Sequence, residues 1–485
     1  MLQVTRTPNS TTPNSQVAPG FAPTSLLPLA WAAVYVTAFG VALLAVSWPV
    51  IDAVARMERA STLSWRETVV NAFGQGVEYR PLFTLMIKLS YEAVGTWLEF
   101  YQAVVLLQFA AVLLLVVWLC RPVGRRRAMA ACLALSCLCG LHTTRILFGF
   151  WPLNQHSAVL VLVLAAIALA FRSESRTIDW VLGLVTLGAL FGLELGLLIL
   201  PVIAVLWLVS APGLSRRGVG GVVLATALYL ATRFAFSSEP AVPTFQNGVG
   251  FGFSSMDADG VRATFGDPPW LMWMYNILST CLTVALSEPR DGTFSFVESL
   301  LARDMESWQW FHVGLSALTT LVIVSGLAWG GRRLSGRDRL LVATGLALML
   351  FGSALGFLYT RDRIGLSVGV GYVLLLYVAA AALMDRMPMT GWRQMVVAGG
   401  LVVVAAAWVV RSGETFFQIR DTAWDYHQEW TARSAELGVE TWASAEPMAT
   451  MRADALGSTP ADPRLDPAWT FALFERRFAR SPEAR

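Results

Sequence analysis

The chain has 485 residues, 55% of them hydrophobic and only 14% charged, with a mean hydropathy of +0.56. These proportions belong to an integral membrane protein and exclude a soluble domain or a wholly disordered chain. A formal net charge of +3 is too small to imply nucleic acid as a partner. Lys88 is the only lysine, an arginine bias that fits a GC-rich bacterial genome. Cys120, Cys132, Cys137, Cys139 and Cys281 form no C-x-x-C pair and read as small membrane hydrophobes.

Taken in chain order, residues 1–24 are rich in Pro, Ser, Thr and Asn, with Arg6 the only charge, and are expected to form a disordered cytoplasmic tail. A membrane domain is expected over 25–410, and an extracytoplasmic region over 411–485. Apolar runs near 25–48, 98–119, 128–147, 155–171, 180–210, 218–236, 310–330, 340–359, 364–384 and 395–410 suit helices that cross the hydrocarbon core, which takes about 20 residues each. Arginine clusters at 121–127, 172–176, 216–217, 332–339 and 386–393 should all be cytoplasmic.

That condition decides three ambiguous segments. Residues 81–97 would invert the later loops if they spanned. Arg80, Thr84, Lys88 and Glu92 fall on one helical stripe, so an interfacial helix on the outer leaflet is expected. The 31-residue run 180–210 has arginines at both ends and is expected to fold as two short spans turning at Gly192–Gly196. Residues 269–288 carry a polar stripe of Asn276, Thr280, Thr283 and Ser287 and read as a second interfacial helix. About eleven spans result, with outer loops at 49–97 and 237–309, the N-terminus inside and the C-terminus outside.

Candidate chemistry gathers at the outer side. Asp52 follows Trp48 where the first span leaves the bilayer; a carboxylate there suits a general base, or simply ends a helix. Arg80 precedes Pro81 and suits a lipid phosphate or an interfacial anchor. His142, Arg145 and His156 flank an outer turn; no metal-binding spacing joins them, so phosphate binding or interface polarity is expected. Glu194 lies inside an apolar run, where a carboxylate faces a cavity or pairs with an arginine such as Arg145 or Arg233. Arg233, Arg361 and Arg363 run against the inside bias and suggest phosphate binding. The charges of the first outer loop, Arg56, Glu58, Arg59, Arg66 and Glu67, read as solvated helix faces. No Walker A, G-x-G-x-x-G, G-x-S-x-G or Cys/His zinc spacing is present.

The order of these parts resembles the GT-C superfamily of polytopic glycosyltransferases. Tyr79-Arg80-Pro81-Leu82 with trailing Gly95 is similar to the Y-R-P-L…G segment of the tetratricopeptide-bearing O-mannosyltransferase branch and its bacterial relatives. Leu141-His142 with Arg145 is similar to that branch's L-H-P segment. Gly192-Leu193-Glu194 before Leu200-Pro201 is similar to its S-K-E…L-P segment, and Ala231-Thr232-Arg233 to its arginine ending the seventh span. The likeness covers about 25–290. It departs at Ala53, where the branch has a second acid, at Leu193 in place of lysine and at Thr143 in place of proline; tetratricopeptide repeats are missing.

The resemblance implies an all-α GT-C-like bundle in a bacterial cytoplasmic membrane. It implies transfer of a sugar from a polyprenyl-phosphate donor to a hydroxyl of a glycan, lipid or protein acceptor. Asp52 and Glu194 take the places of the catalytic acids. Arg80, Arg145, Arg233, Arg361 and His142 would hold the donor phosphate; no metal ligands are assigned, although a divalent metal is compatible with the class. A non-catalytic scaffold or a transporter of a lipid-linked substrate is the alternative. Charges confined to one side and no evident inverted repeat speak against transport.

Overall fold

The computed structural model describes residues 26–44, 46, 48, 54–74, 79–145, 147, 153–236, 258–286, 292–331, 334–356, 365–386, 391–437 and 446–458. Asp52, Arg361, Arg363, the stretch 237–257 of the second outer loop and the two ends of the chain lie outside them. Among the described residues the chain is helical throughout, with no strand. The helices in order are α1 (Leu26–Leu43), α2 (Ala55–Thr62), α3 (Trp65–Gly74), α4 (Pro81–Val94), α5 (Leu98–Cys120), α6 (Arg125–Gly140), α7 (Gln155–Ala170), α8 (Arg176–Gly192) and α9 (Ile199–Leu208). They continue as α10 (Arg216–Phe236), α11 (Ala258–Phe265), α12 (Trp270–Ala285), α13 (Gly292–Ala302), α14 (Ser307–Gly330), α15 (Gly336–Leu355), α16 (Leu366–Arg386), α17 (Trp392–Leu437) and α18 (Glu446–Ser458).

Among the described residues, seven segments are long and apolar enough to cross a membrane: α1, α5, α10, α14, α15, α16 and residues 395–415 of α17. The protein is therefore an all-α, multi-pass membrane protein. The remaining expected spans fold as shorter helices, of 16 residues in α6 and α7, 17 in α8 and 10 in α9. At 1.5 Å per residue, α6 and α7 reach about 24 Å, short of the hydrocarbon thickness. The central helix α16 is buried along almost its whole length and packs on α6, α14 and α15.

One end of the bundle is stitched by arginine. Arg127 makes a two-pronged pair with Asp338 at 2.9 and 3.0 Å and reaches Asp385 at 3.2 Å. Arg126 donates to the Met384 carbonyl, and Arg337 to the carbonyls of Trp118 and Leu119. Arg172 and Arg337 each lie 5.7 Å from the Trp118 ring centre. Thus arginines far apart in sequence, all expected on one side, meet at one end of the molecule.

The 180–210 run breaks where its glycines are. Helix α8 ends at Gly192, Leu193 is extended, and a 3-10 turn over Glu194–Leu198 leads into α9. The two limbs return to the same end. Gly213 donates to the Ala170 carbonyl below α9, and Ser215 donates to Asp179 in the first turn of α8 at 2.7 Å. Gly196 is required at the turn, because a Cβ there would lie 2.5 Å from the backbone of Ala189.

The two amphipathic helices are inside-out relative to a soluble protein. In α12, Asn276, Thr280 and Thr283 are buried while Trp270, Leu271, Met274 and Leu278 are exposed. In α4, Lys88 is buried beside Phe83 and Ile87, while Leu82, Met86 and Leu89 face outward. Apolar side chains turned away from the protein fit a surrounding of lipid.

Helix α17 differs from expectation. It does not stop near residue 410 but runs on to Leu437, 46 residues in all. Its interior is held by a fully buried Arg411, which donates to the carbonyls of Gly140 (2.8 Å) and His312 (2.9 Å) and to Ser316 Oγ (2.7 Å) and stacks over Trp408. These acceptors let a guanidinium stay inside the bundle where an unpartnered one would be expelled. Further along, Trp430 is buried and its indole donates to the Trp48 carbonyl at 2.7 Å, so the expected juxtamembrane aromatic helix is a continuation of the last span.

Candidate functional site

At the end opposite the arginine stitching, three residues singled out in the sequence meet. Arg80 Nε lies 3.3 Å from Glu194 Oε2, and Arg233 Nη1 lies 3.4 Å from Glu194 Oε1. The partners are 114 and 39 residues apart in the chain. Each is placed by a helix end. Arg80 caps α4 just before Pro81, whose ring suits the first helical position and restrains the residue preceding it. Glu194 opens the 3-10 turn between α8 and α9. Arg233 lies in the last turn of α10, where the helix dipole favours a cation.

Neutral groups complete the knot. Arg80 Nη1 donates to Gln155 Oε1 at 3.4 Å, and Arg233 Nη1 donates to the Tyr229 hydroxyl at 2.6 Å. Gln155 is in the first turn of α7, beside Asn154, whose side chain caps that helix through the Ser157 amide. A ring cluster of Phe73, Tyr79, Phe191 and Tyr229, with centroids 5.8 to 6.4 Å apart, walls one side. The side chains of Arg80, Glu194 and Arg233 are 20, 30 and 21% exposed, so the group is partly open. Two guanidinium groups share one carboxylate, so positive charge outweighs negative among these three.

Next to this knot, α2, α3 and α4 enclose a cavity of about 360 Å³ into which Arg80 also faces. Arg56, Arg59 and Lys88 line it with Thr68, Thr84 and Asn71. Lys88 is buried; its ammonium donates to the Ala60 carbonyl at 2.7 Å and pairs with Glu92 at 2.6 Å. Arg56 stacks over Phe83, 5.1 Å from the ring centre. Arg56 and Arg59, expected on solvated faces, both line this cavity, and Arg59 is also exposed.

Of the other expected phosphate ligands, His142 falls elsewhere. His142 is buried in the 3-10 turn His142–Arg145, which packs on α12, α16 and α17. Arg145 ends that turn; its side chain, like Asp52 and Arg361, lies outside the described residues. Among the described residues, no group of three or more His, Cys, Asp or Glu side chains gathers. Both oxygens of Glu194 are in contact with guanidinium groups.

Comparison of the chain with known protein families, with curated proteins and with solved structures finds no match. The class that fold and site define is a polytopic, all-α membrane protein with a cationic cluster at one end of its bundle.

Proposed function

We propose that the protein is a GT-C-type membrane glycosyltransferase of a bacterial cytoplasmic membrane. It would move a sugar from a polyprenyl-phosphate donor to an extracytoplasmic hydroxyl of a glycan, lipid or protein. The observation that carries this reading is the convergence of Arg80 and Arg233 on Glu194, three positions that the family resemblance had aligned independently. The arginine-stitched end is then cytoplasmic, the knot is extracytoplasmic and the full complement is about eleven spans. The four short helices supply the remainder.

In the reaction, Asp52 takes the proton of the acceptor hydroxyl as its oxygen attacks the anomeric carbon. The bond from that carbon to the phosphate oxygen breaks with inversion, and polyprenyl phosphate leaves with the electron pair. Cations near the leaving phosphate stabilise the charge it gains. Glu194 acts by holding Arg80 and Arg233 in register.

The test is sugar transfer in membranes supplied with a radiolabelled polyprenyl-phosphate sugar. Transfer should depend on the protein and be lost in Asp52→Asn at undiminished expression. Equal transfer by that variant would remove Asp52 from the mechanism, and no protein-dependent transfer with any such donor would favour a scaffold.

A further inference from the structure

The Arg80–Glu194–Arg233 knot is partly neutralised by its own carboxylate, whereas the wall of the neighbouring cavity carries only positive charge. Four cations face it, Arg56, Arg59, Arg80 and Lys88, and none of its lining residues is acidic. Glu194 and Glu92 pair with Arg80 and Lys88 from outside the lining. Lys88 spends two of its three N–H donors on Ala60 and Glu92, which leaves one for a ligand. Crowding an ammonium and three guanidinium groups around one walled space favours an anion within it. Between these cations the walls include the apolar side chains of Leu63, Phe83 and Ile87. A ligand that suits both is a phosphate carried on a hydrocarbon chain, and α4 turns Leu82, Met86 and Leu89 outward, where such a chain would run.

We propose that the α2–α4 cavity is the seat of a lipid-borne phosphate, held by Arg56, Arg59 and Lys88, and that Arg80 links this seat to the Glu194 knot. The identity of that lipid as a sugar donor rests on the glycosyltransfer reading; the binding of a lipid phosphate does not. The site therefore assigns phosphate contact to Arg56, Arg59 and Lys88, which the family resemblance passed over, in place of Arg233 and His142.

The experiment is equilibrium binding of a fluorescent short-chain polyprenyl phosphate to the purified full-length protein in phosphatidylcholine nanodiscs. Competitors are unlabelled polyprenyl phosphate, the uncharged polyprenol, phosphatidic acid and inorganic phosphate. Saturable binding is expected, displaced by either phosphate-bearing lipid. Arg59→Gln, an exposed position that leaves folding intact, should weaken it roughly tenfold or more, the effect of one charge-assisted contact. Arg56→Gln should act in the same direction, and Lys88→Arg should bind better than Lys88→Met. Arg217→Gln, exposed in the first turn of α10 and at the other end of that helix from Arg233, should leave binding within about twofold. Binding unchanged in Arg59→Gln and Arg56→Gln, or equal displacement by the polyprenol, overturns the site. Displacement by inorganic phosphate as effective as by the lipids overturns its lipid character. Binding as proposed without any sugar transfer leaves this seat standing and sinks the transfer reading; transfer with binding indifferent to both arginines does the reverse.

Discussion

Replacing Glu194 by Gln probes the knot most directly. The two carboxylate oxygens are divided, Oε2 to Arg80 and Oε1 to Arg233. A carboxamide keeps one acceptor and offers an NH₂ where the other stood, so whichever way it is turned one guanidinium N–H meets an N–H. One charge-assisted hydrogen bond is lost, about 1.5–3 kcal/mol if fully buried. The three side chains are 20 to 30% exposed and Gln155 and Tyr229 still accept from the arginines, which lowers the cost to about 1–2 kcal/mol. Thermal unfolding of the detergent-solubilised protein should therefore shift downward in Glu194→Gln. Adding Arg233→Gln removes the second guanidinium and lets the carboxamide oxygen at position 194 accept from Arg80. The second change should then cost about 1 kcal/mol less in the Glu194→Gln background than in the wild type. Unchanged melting in Glu194→Gln, or strictly additive effects in the double variant, would refute the shared-carboxylate arrangement.

Two further outcomes follow from local geometry. Gly196→Ala places a methyl group 2.5 Å from the Ala189 backbone and should destabilise the α8–α9 turn by about 1–3 kcal/mol, whereas Gly220→Ala, with nothing within 4 Å, should not; parallel melting curves test the pair. Ser64 donates its hydroxyl and amide to Glu67 at 2.7 and 2.8 Å, and these bonds hold the Glu67 carboxyl below the usual carboxylate range. Because the folded value is the lower one, the start of α3 is secure above the ordinary carboxylate pKa and loosens as pH falls through the lowered value. The protection of the Ser64 amide, its exchange taken relative to the intrinsic rate at each pH, should fall in that acid window in the wild type and show no such step in Glu67→Gln.

Much of the helix pattern was legible because lipid imposes a coarse rule: about 20 apolar residues per crossing, with arginines sorted to one end. The same rule located the break in 180–210, since arginines at both limits demanded a return. Glu194 was legible for a similar reason, as a charge in an apolar run needs a partner, and Arg233 was among those named. The continuation of α17 past residue 410 was not legible. Arg411 and Glu414 read as the end of an apolar run, and only the three-dimensional arrangement supplies Gly140, His312 and Ser316 as acceptors for the arginine. The cavity was missed because Arg56 and Arg59 belong to one helix and Lys88 to another, and their facing is set by tertiary packing.

The unbroken α17 also has a mechanical consequence. At 1.5 Å per residue its 46 residues form a rod of about 69 Å, more than twice the thickness of the oily layer it pierces. The rod is clamped near its middle by Arg411 and again toward its far tip by Trp430 on Trp48. A tilt of the embedded half must therefore swing the protruding half and drag the exit of α1 with it. Motion inside the bilayer and the position of Trp48 are geared together by a single stiff shaft.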